Sequence, residues 1–172
     1  MEITTDISLR GTAWNIAIEK LDEIFKTRTN YMIYMLALSF GIMYDKREDK
    51  LPLEDGEEVR SVPRNVIHNN DQGKLDFMFQ AAILSTITEN FTEEERLDLA
   101  FGEKNDEKIG FKKIEFLTQF ANYGVTKLVE LIEETPIESM ESIKNFLVAT
   151  VEGRNLEIDA LPDDILLEGE IF

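Results

Sequence analysis

Apolar residues recur at spacings of three and four along most of the chain, the period of helices that bury one face. Trp14, Ala17, Ile18, Leu21, Ile24 and Phe25 form such a stripe and predict an amphipathic helix over 12–26. The next segment, FKTRTNYMIYMLALSFGIMYDKRED at 25–49, breaks the pattern by being apolar on nearly every side. A helix without a wet face has to be surrounded by protein or lipid. Its apolar run, 31–44, falls short of the ~20 residues a bilayer span needs. It therefore predicts the central helix of a helical domain, with Thr27 or Thr29 as its cap. Basic residues stand at both mouths, Lys26 and Arg28 before it and Lys46 and Arg47 after it.

Periodicity then stops. Between 45 and 71 lie Pro52, Pro63, Gly56 and the acidic run EDGEE, which predict a long connector with at most a short strand or turn. A connector of that length is often functional. The helical period resumes from Lys74, with Leu75, Met78, Phe79, Ala82, Ile83 and Ile87 on one side. Thr92 and Glu95 spell a capping box that opens a short helix, and Gly102 can close it. A longer helix is expected over 108–134, its stripe running from Ile114 through Leu117, Ala121, Val125 and Leu128 to Ile132, with Pro136 as its stop. Gly124 inside it costs about 1 kcal/mol relative to Ala, which points to a close helix crossing or a break. Met140, Ile143, Leu147 and Val151 mark a last helix that ends near Gly153. No internal repeat is visible. The reading is an all-α fold: one compact domain over 1–153, about six helices around a buried central one, followed by an acidic-hydrophobic tail over 154–172.

At 172 residues the chain is long enough for one domain with a real core. Hydrophobic residues at 43% and charged ones at 31% are those of a globular protein. The formal charge of -17 is not ordinary, and it is unevenly spread. Residues 1–86 hold 10 basic and 14 acidic side chains, residues 87–172 hold 8 and 21. Such a field repels nucleic-acid phosphates except where a local basic patch overrides it, and it attracts basic partners. Solubility alone also accounts for a charge of this size. The absence of cysteine excludes disulfides and thiolate metal sites. The opening MEITTDISLR carries two acids and no long apolar core, so neither a signal peptide nor a membrane span is expected. A cytoplasmic protein is the default.

Catalytic chemistry is sparse. His68 is the single histidine, set in a polar stretch with no nucleophile motif beside it. The acidic clusters at 54–58 and 93–95 lack the Asp-x-Asp-x-Asp-Gly spacing of a calcium loop, and helix capping explains the second. No phosphate-binding glycine loop, Gly-x-Ser-x-Gly or His-Glu-x-x-His occurs. The expectation is a protein that is not an enzyme, with no metal and no cofactor. The basic residues at the two ends of the central helix are separated by about 20 Å at 1.5 Å per residue, so they cannot form one patch. One end together with the connector could contact phosphate or an acidic partner, and this selects Lys26, Arg28, Arg60 and Arg64 as candidates. Solvated helix termini that offset Asp45, Glu48 and Asp49 are the plainer alternative.

The order FKTRTNYMIYMLALSFGIMYDKR, EEVRSVPRNVI, DFMFQAAILSTI, IEFLTQFANYGVTKLVELI resembles a family of small proteins encoded beside bacterial DNA phosphorothioation (Dnd) genes. In that family a Phe-x-Thr start leads into an Ala-rich apolar helix ending in Gly, and an aromatic-Ala-Asn-x-Gly segment follows later. The corresponding residues are Phe25, Thr27, Ala37 and Gly41, then Phe120, Ala121, Asn122 and Gly124. The likeness covers about residues 19–132 and rests on packing and turn residues; the EDGEE insert and the tail after Gly153 depart from it. It implies an accessory component of a phage-defence or DNA-modification locus, without catalysis of its own. Three functions follow as expectations. One is an adaptor or regulatory subunit docking on a larger defence protein of the helicase, nuclease or ATPase class, through helix faces and tail residues such as Asp163, Asp164, Glu168 and Phe172. Another is an acidic mimic that occupies the basic groove of a nucleic-acid enzyme. The third is a DNA-binding accessory that uses Arg28 and the 60–64 region.

Overall fold

A computed structural model describes residues 3, 5–102, 113–151 and 153. Among these the fold is all-α, with seven helices and one small ribbon. The elements are β1 (Ile7–Leu9), α1 (Thr12–Phe25), a 3-10 turn (Lys26–Arg28), α2 (Thr29–Tyr44), β2 (Arg60–Val62), α3 (Arg64–Asn70), α4 (Lys74–Ser85), α5 (Glu93–Phe101), α6 (Lys113–Val129) and α7 (Pro136–Val151). The tail over 154–172, with the candidates Asp163, Asp164, Glu168 and Phe172, lies outside the described residues. No helix among the described residues is long and apolar enough to cross a membrane.

As its composition requires, α2 is the centre. Tyr31, Ile33, Tyr34, Ala37, Leu38, Phe40 and Gly41 are buried on several sides of it. Its main partner is α6, and the two backbones touch. A Cβ on Gly41 would strike the carbonyl of Phe120, and one on Gly124 would strike the carbonyl of Ala37 and come within 2.6 Å of the Gly41 nitrogen. Gly124 thus marks a close crossing, not a break. Around this pair α1 brings Trp14 against Tyr34, with ring centroids 6.3 Å apart. α7 brings Phe146 against Phe40 at 4.9 Å and Tyr44 at 6.2 Å. α4 brings Phe79 edge-on to Phe116.

Several expectations shift in detail. Thr29 does not cap α2 by accepting: it is the first helical residue, and its hydroxyl lies within donating distance of Asp22 Oδ1 and the Lys26 carbonyl. α2 ends instead in a Schellman-type turn, with Asp45 left-handed at φ 48° and the amides of Asp45 and Lys46 returning to Ile42 and Gly41. The expected connector contains β2 and α3. β2 pairs antiparallel with β1 in the register Ile7 to Val62, Ser8 to Ser61 and Leu9 to Arg60. The α5 capping box forms as spelled: Thr92 Oγ1 accepts from the Glu95 amide at 3.2 Å, and Glu95 accepts from the Thr92 amide at 2.8 Å. α6 is described from Lys113, the expected start at 108–112 lying outside the described residues, and it stops at Val129, well before Pro136; Leu131 and Ile132 continue the apolar pattern from a turn packed on the core. Pro136 opens α7, where its missing N–H costs nothing.

Candidate functional site

The junction between α1 and α2 builds the basic cleft. The chain leaves α1 through Lys26, whose φ of 39° and ψ of -95° are unusual for a residue with a side chain. Two polar anchors then fix the start of α2. Asn30 Nδ2 donates to the Ser61 carbonyl at 2.6 Å, and Tyr31 Oη donates to Asp71 Oδ1 at 3.2 Å. Burial, reinforced by Asp71, pushes the Tyr31 phenol well above its ordinary pKa and keeps it protonated as a donor. The first anchor brings the ribbon beside the helix start. Between them opens a cleft of about 300 Å3 whose walls include Lys26, Arg28, Asn30, Tyr31, Pro63 and Val66.

Of the four basic candidates, Lys26 and Arg28 share this cleft, and both are exposed. Arg64 is next to its Pro63 wall; its amide donates to Asp6 Oδ1 at 2.9 Å. Arg60 is directed elsewhere: its Nε donates to Asn15 Oδ1 at 3.3 Å, and its guanidinium lies 3.6 Å from Glu19, so it braces β2 against α1. Asp22 also lines the cleft and offsets part of its charge. The arrangement can hold an anionic group against two cations.

The opposite mouth of α2 is structural. The Arg47 guanidinium lies over the rings of Phe116 and Phe120, 5.1 and 5.6 Å from their centroids, and pairs with Glu89 at 2.5 Å. Lys46 lies 5.9 Å from the Tyr123 ring centroid. Asn122 binds this region together: it accepts from Trp14 Nε1 at 3.0 Å and donates to the Glu48 and Asp49 carbonyls at 3.1 and 3.3 Å. Gly41 and Gly124 therefore form a glycine crossing, and Asn122 is a buried amide clamp. His68 is exposed on α3. Among the described residues no group of three or more His, Cys, Asp or Glu side chains is placed to hold a metal ion.

Two further surfaces stand out. At the turn between α6 and α7, Glu133, Glu134, Glu138 and Glu141 line an acidic cleft of about 420 Å3. On α4 and α5, Phe77, Leu84, Leu97 and Phe101 face solvent, as does Ile87 just beyond α4. Ile87 was expected on the buried stripe, yet α4 ends at Ser85 and Ile87 is 86% exposed. Sequence reasoning missed this surface because it counts apolar positions at helical spacing without knowing which of them a neighbour covers. The signal was present in α4, where Phe77 and Leu84 fall on the face opposite Leu75, Phe79 and Ala82.

No family model matches the chain, and no curated protein or solved structure matches it.

Proposed function

We propose that the chain is a non-catalytic adaptor or regulatory subunit of a bacterial antiphage-defence or DNA-modification system, docking on a larger nucleic-acid enzyme of the helicase, nuclease or ATPase class. The observation that carries this reading is a pair of separate apolar surfaces on a strongly acidic domain. Phe77, Leu84, Ile87, Leu97 and Phe101 form one surface on α4 and α5, and Ile137, Val148 and Val151 lie exposed along α7. Exposed apolar faces rimmed by polar residues mark protein contacts, and two of them suit a bridging role. The likeness to Dnd-associated proteins supplies the setting. The test is capture of the tagged full-length chain from its native host with cross-linking, followed by reconstitution with the purified partner. A stoichiometric complex that changes the rate of a nucleic-acid enzyme is the expected result. A chain that elutes alone, or whose partners do not act on nucleic acid, refutes it.

A second reading, an acidic mimic that inhibits such an enzyme, is favoured by the charge of -17 and by the glutamates at the α6–α7 turn. Competition separates the two. A mimic displaces DNA from the enzyme's groove in proportion to its own occupancy, whereas an adaptor binds the enzyme without displacing DNA.

A further inference from the structure

We propose that the outer face of α4 and α5 is the docking surface for a cationic amphipathic helix of a partner protein; this rests on the adaptor reading and names its contact. Phe77 and Leu84 lie seven residues apart on the side of α4 opposite its buried stripe, and Leu97 and Phe101 lie four apart on α5. Phe77 is 67% and Phe101 60% exposed. The helices are locked to each other. Gln80 Nε2 donates to the Ala100 carbonyl at 3.2 Å, and Arg96 donates to the carbonyls of Ile83 at 2.8 Å, Thr86 at 2.6 Å and Glu89 at 3.1 Å. These bonds set α4 and α5 antiparallel, so Leu97 stands level with Leu84 and Phe101 with the first turns of α4. The result is a fixed pair of apolar ridges, the form that accepts a helix through anchors at i, i+3 or i+4, and i+7.

Charge selects the occupant. Glu93 and Glu94 are exposed on α5, its single cation, Arg96, is consumed by the three carbonyls, and Lys74 at the start of α4 donates to the Asn70 and Asp71 carbonyls. A negative rim around apolar anchors attracts Lys and Arg beside apolar side chains and disfavours acidic chains. The chain's own tail, whose residues 155–172 carry six acids and no Lys or Arg, is repelled. A second copy, also at -17, is repelled too.

The probe is a synthetic peptide of about 18 residues, five helical turns, with Leu and Phe on one face and Lys and Arg on the other, titrated against the full chain by fluorescence anisotropy. A scrambled peptide of identical composition is the control. The expected result is that the amphipathic peptide binds at least about tenfold more tightly than the scrambled one, and that raising salt from about 50 to about 300 mM weakens it. The pair Phe77→Ser and Phe101→Ser, both exposed and expected to keep the wild-type circular dichroism melt, should reduce binding at least about tenfold. Ile137→Ser with Val151→Ser on α7 should leave it unchanged. Equal binding of the scrambled peptide, or no effect of the α4–α5 pair, overturns the proposal. So does a dimer in light scattering that the same pair abolishes, or peptide binding that strengthens when 154–172 is deleted, since each shows a different occupant. If a nucleic-acid enzyme is captured whose binding ignores Phe77 and Phe101, this face is wrong and the adaptor reading stands. If the peptide result holds and no such enzyme is captured, the adaptor reading is wrong and the face stands.

Discussion

Asn122 ties three parts of this fold together. It is buried, and its three hydrogen bonds join α1, α6 and the segment after α2. Asn122→Ala would orphan the buried Trp14 N–H and remove the donor that serves two backbone carbonyls, and a buried group left unpaired costs about 1–3 kcal/mol. A loss of about 3 kcal/mol in urea unfolding is expected, together with a shift in emission from Trp14, the chain's single tryptophan. Asn122→Asp should be at least as damaging, because a carboxylate repels the two carbonyls that the amide now serves. A second residue-scale prediction concerns acid. The Thr92 amide, and then its hydroxyl, hold Glu95 below the ordinary carboxylate pKa. The Thr12 hydroxyl, and then the Glu54 amide, do the same for Glu57. A carboxyl whose pKa is lower in the folded state contributes stability above its unfolded value, and loses it as pH falls through the folded one. The stability gap between wild type and Glu95→Ala should therefore be full at neutral pH and close below about pH 4. A gap that persists unchanged at pH 3 contradicts the assignment.

Among the elements, the crossing of α2 and α6 sets the tolerance of the fold. Helix propensity alone predicts that Gly41→Ala and Gly124→Ala each stabilise by about 1 kcal/mol. Packing predicts the reverse, since the new Cβ meets the Phe120 or Ala37 carbonyl, and backbone cannot swing aside as a side chain can. The helices must part, which loosens Ala37, Leu38, Phe120, Ala121 and Val125 together. Each substitution should cost about 3 kcal/mol, and the double mutant less than the sum, because one separation relieves both clashes. Thermal melts of the three variants decide the sign. Leu38→Asp, at a fully buried position, should unfold the chain, while Leu36, only half-buried, should tolerate the same change better. Much of this was legible. An all-apolar α2 too short for a bilayer has to be central, and Gly124 within a helical stripe left a close crossing or a break, of which the structure has the crossing. The misses have physical causes. α3 holds only two core-type apolar residues in seven positions, too few for a period. The β1–β2 ribbon joins segments about fifty residues apart, a pairing no local window contains. The end of α6 was overrun because Leu131 and Ile132 reach the core from a turn at nearly helical spacing.

For the molecule as a whole, the question is whether the basic cleft or the overall charge governs contact with nucleic acid. Grouping Lys26 and Arg28 with the stretch ending at Arg64 was foreseeable only in outline, because their meeting depends on Asn30 reaching the ribbon at Ser61. The contact of Arg60 with Glu19 was not foreseeable for the same reason: the two are neighbours in space alone. Two exposed cations in the cleft, with Arg64 beside it, could neutralise two or three phosphates, giving a salt slope of roughly -2 to -3 on a logarithmic scale. The field of a chain at -17 opposes approach from every other direction. Repulsion should win at physiological salt, so duplex DNA binding by the isolated chain should be weaker than about 100 micromolar, below ordinary non-specific binders. In a gel-shift titration from about 50 to about 200 mM salt, residual binding should vanish with Lys26→Ala plus Arg28→Ala and persist with Arg60→Ala. Submicromolar affinity that survives the Lys26 and Arg28 substitutions would mean that a surface other than this cleft overrides the charge, and the DNA-binding accessory role would then displace the adaptor.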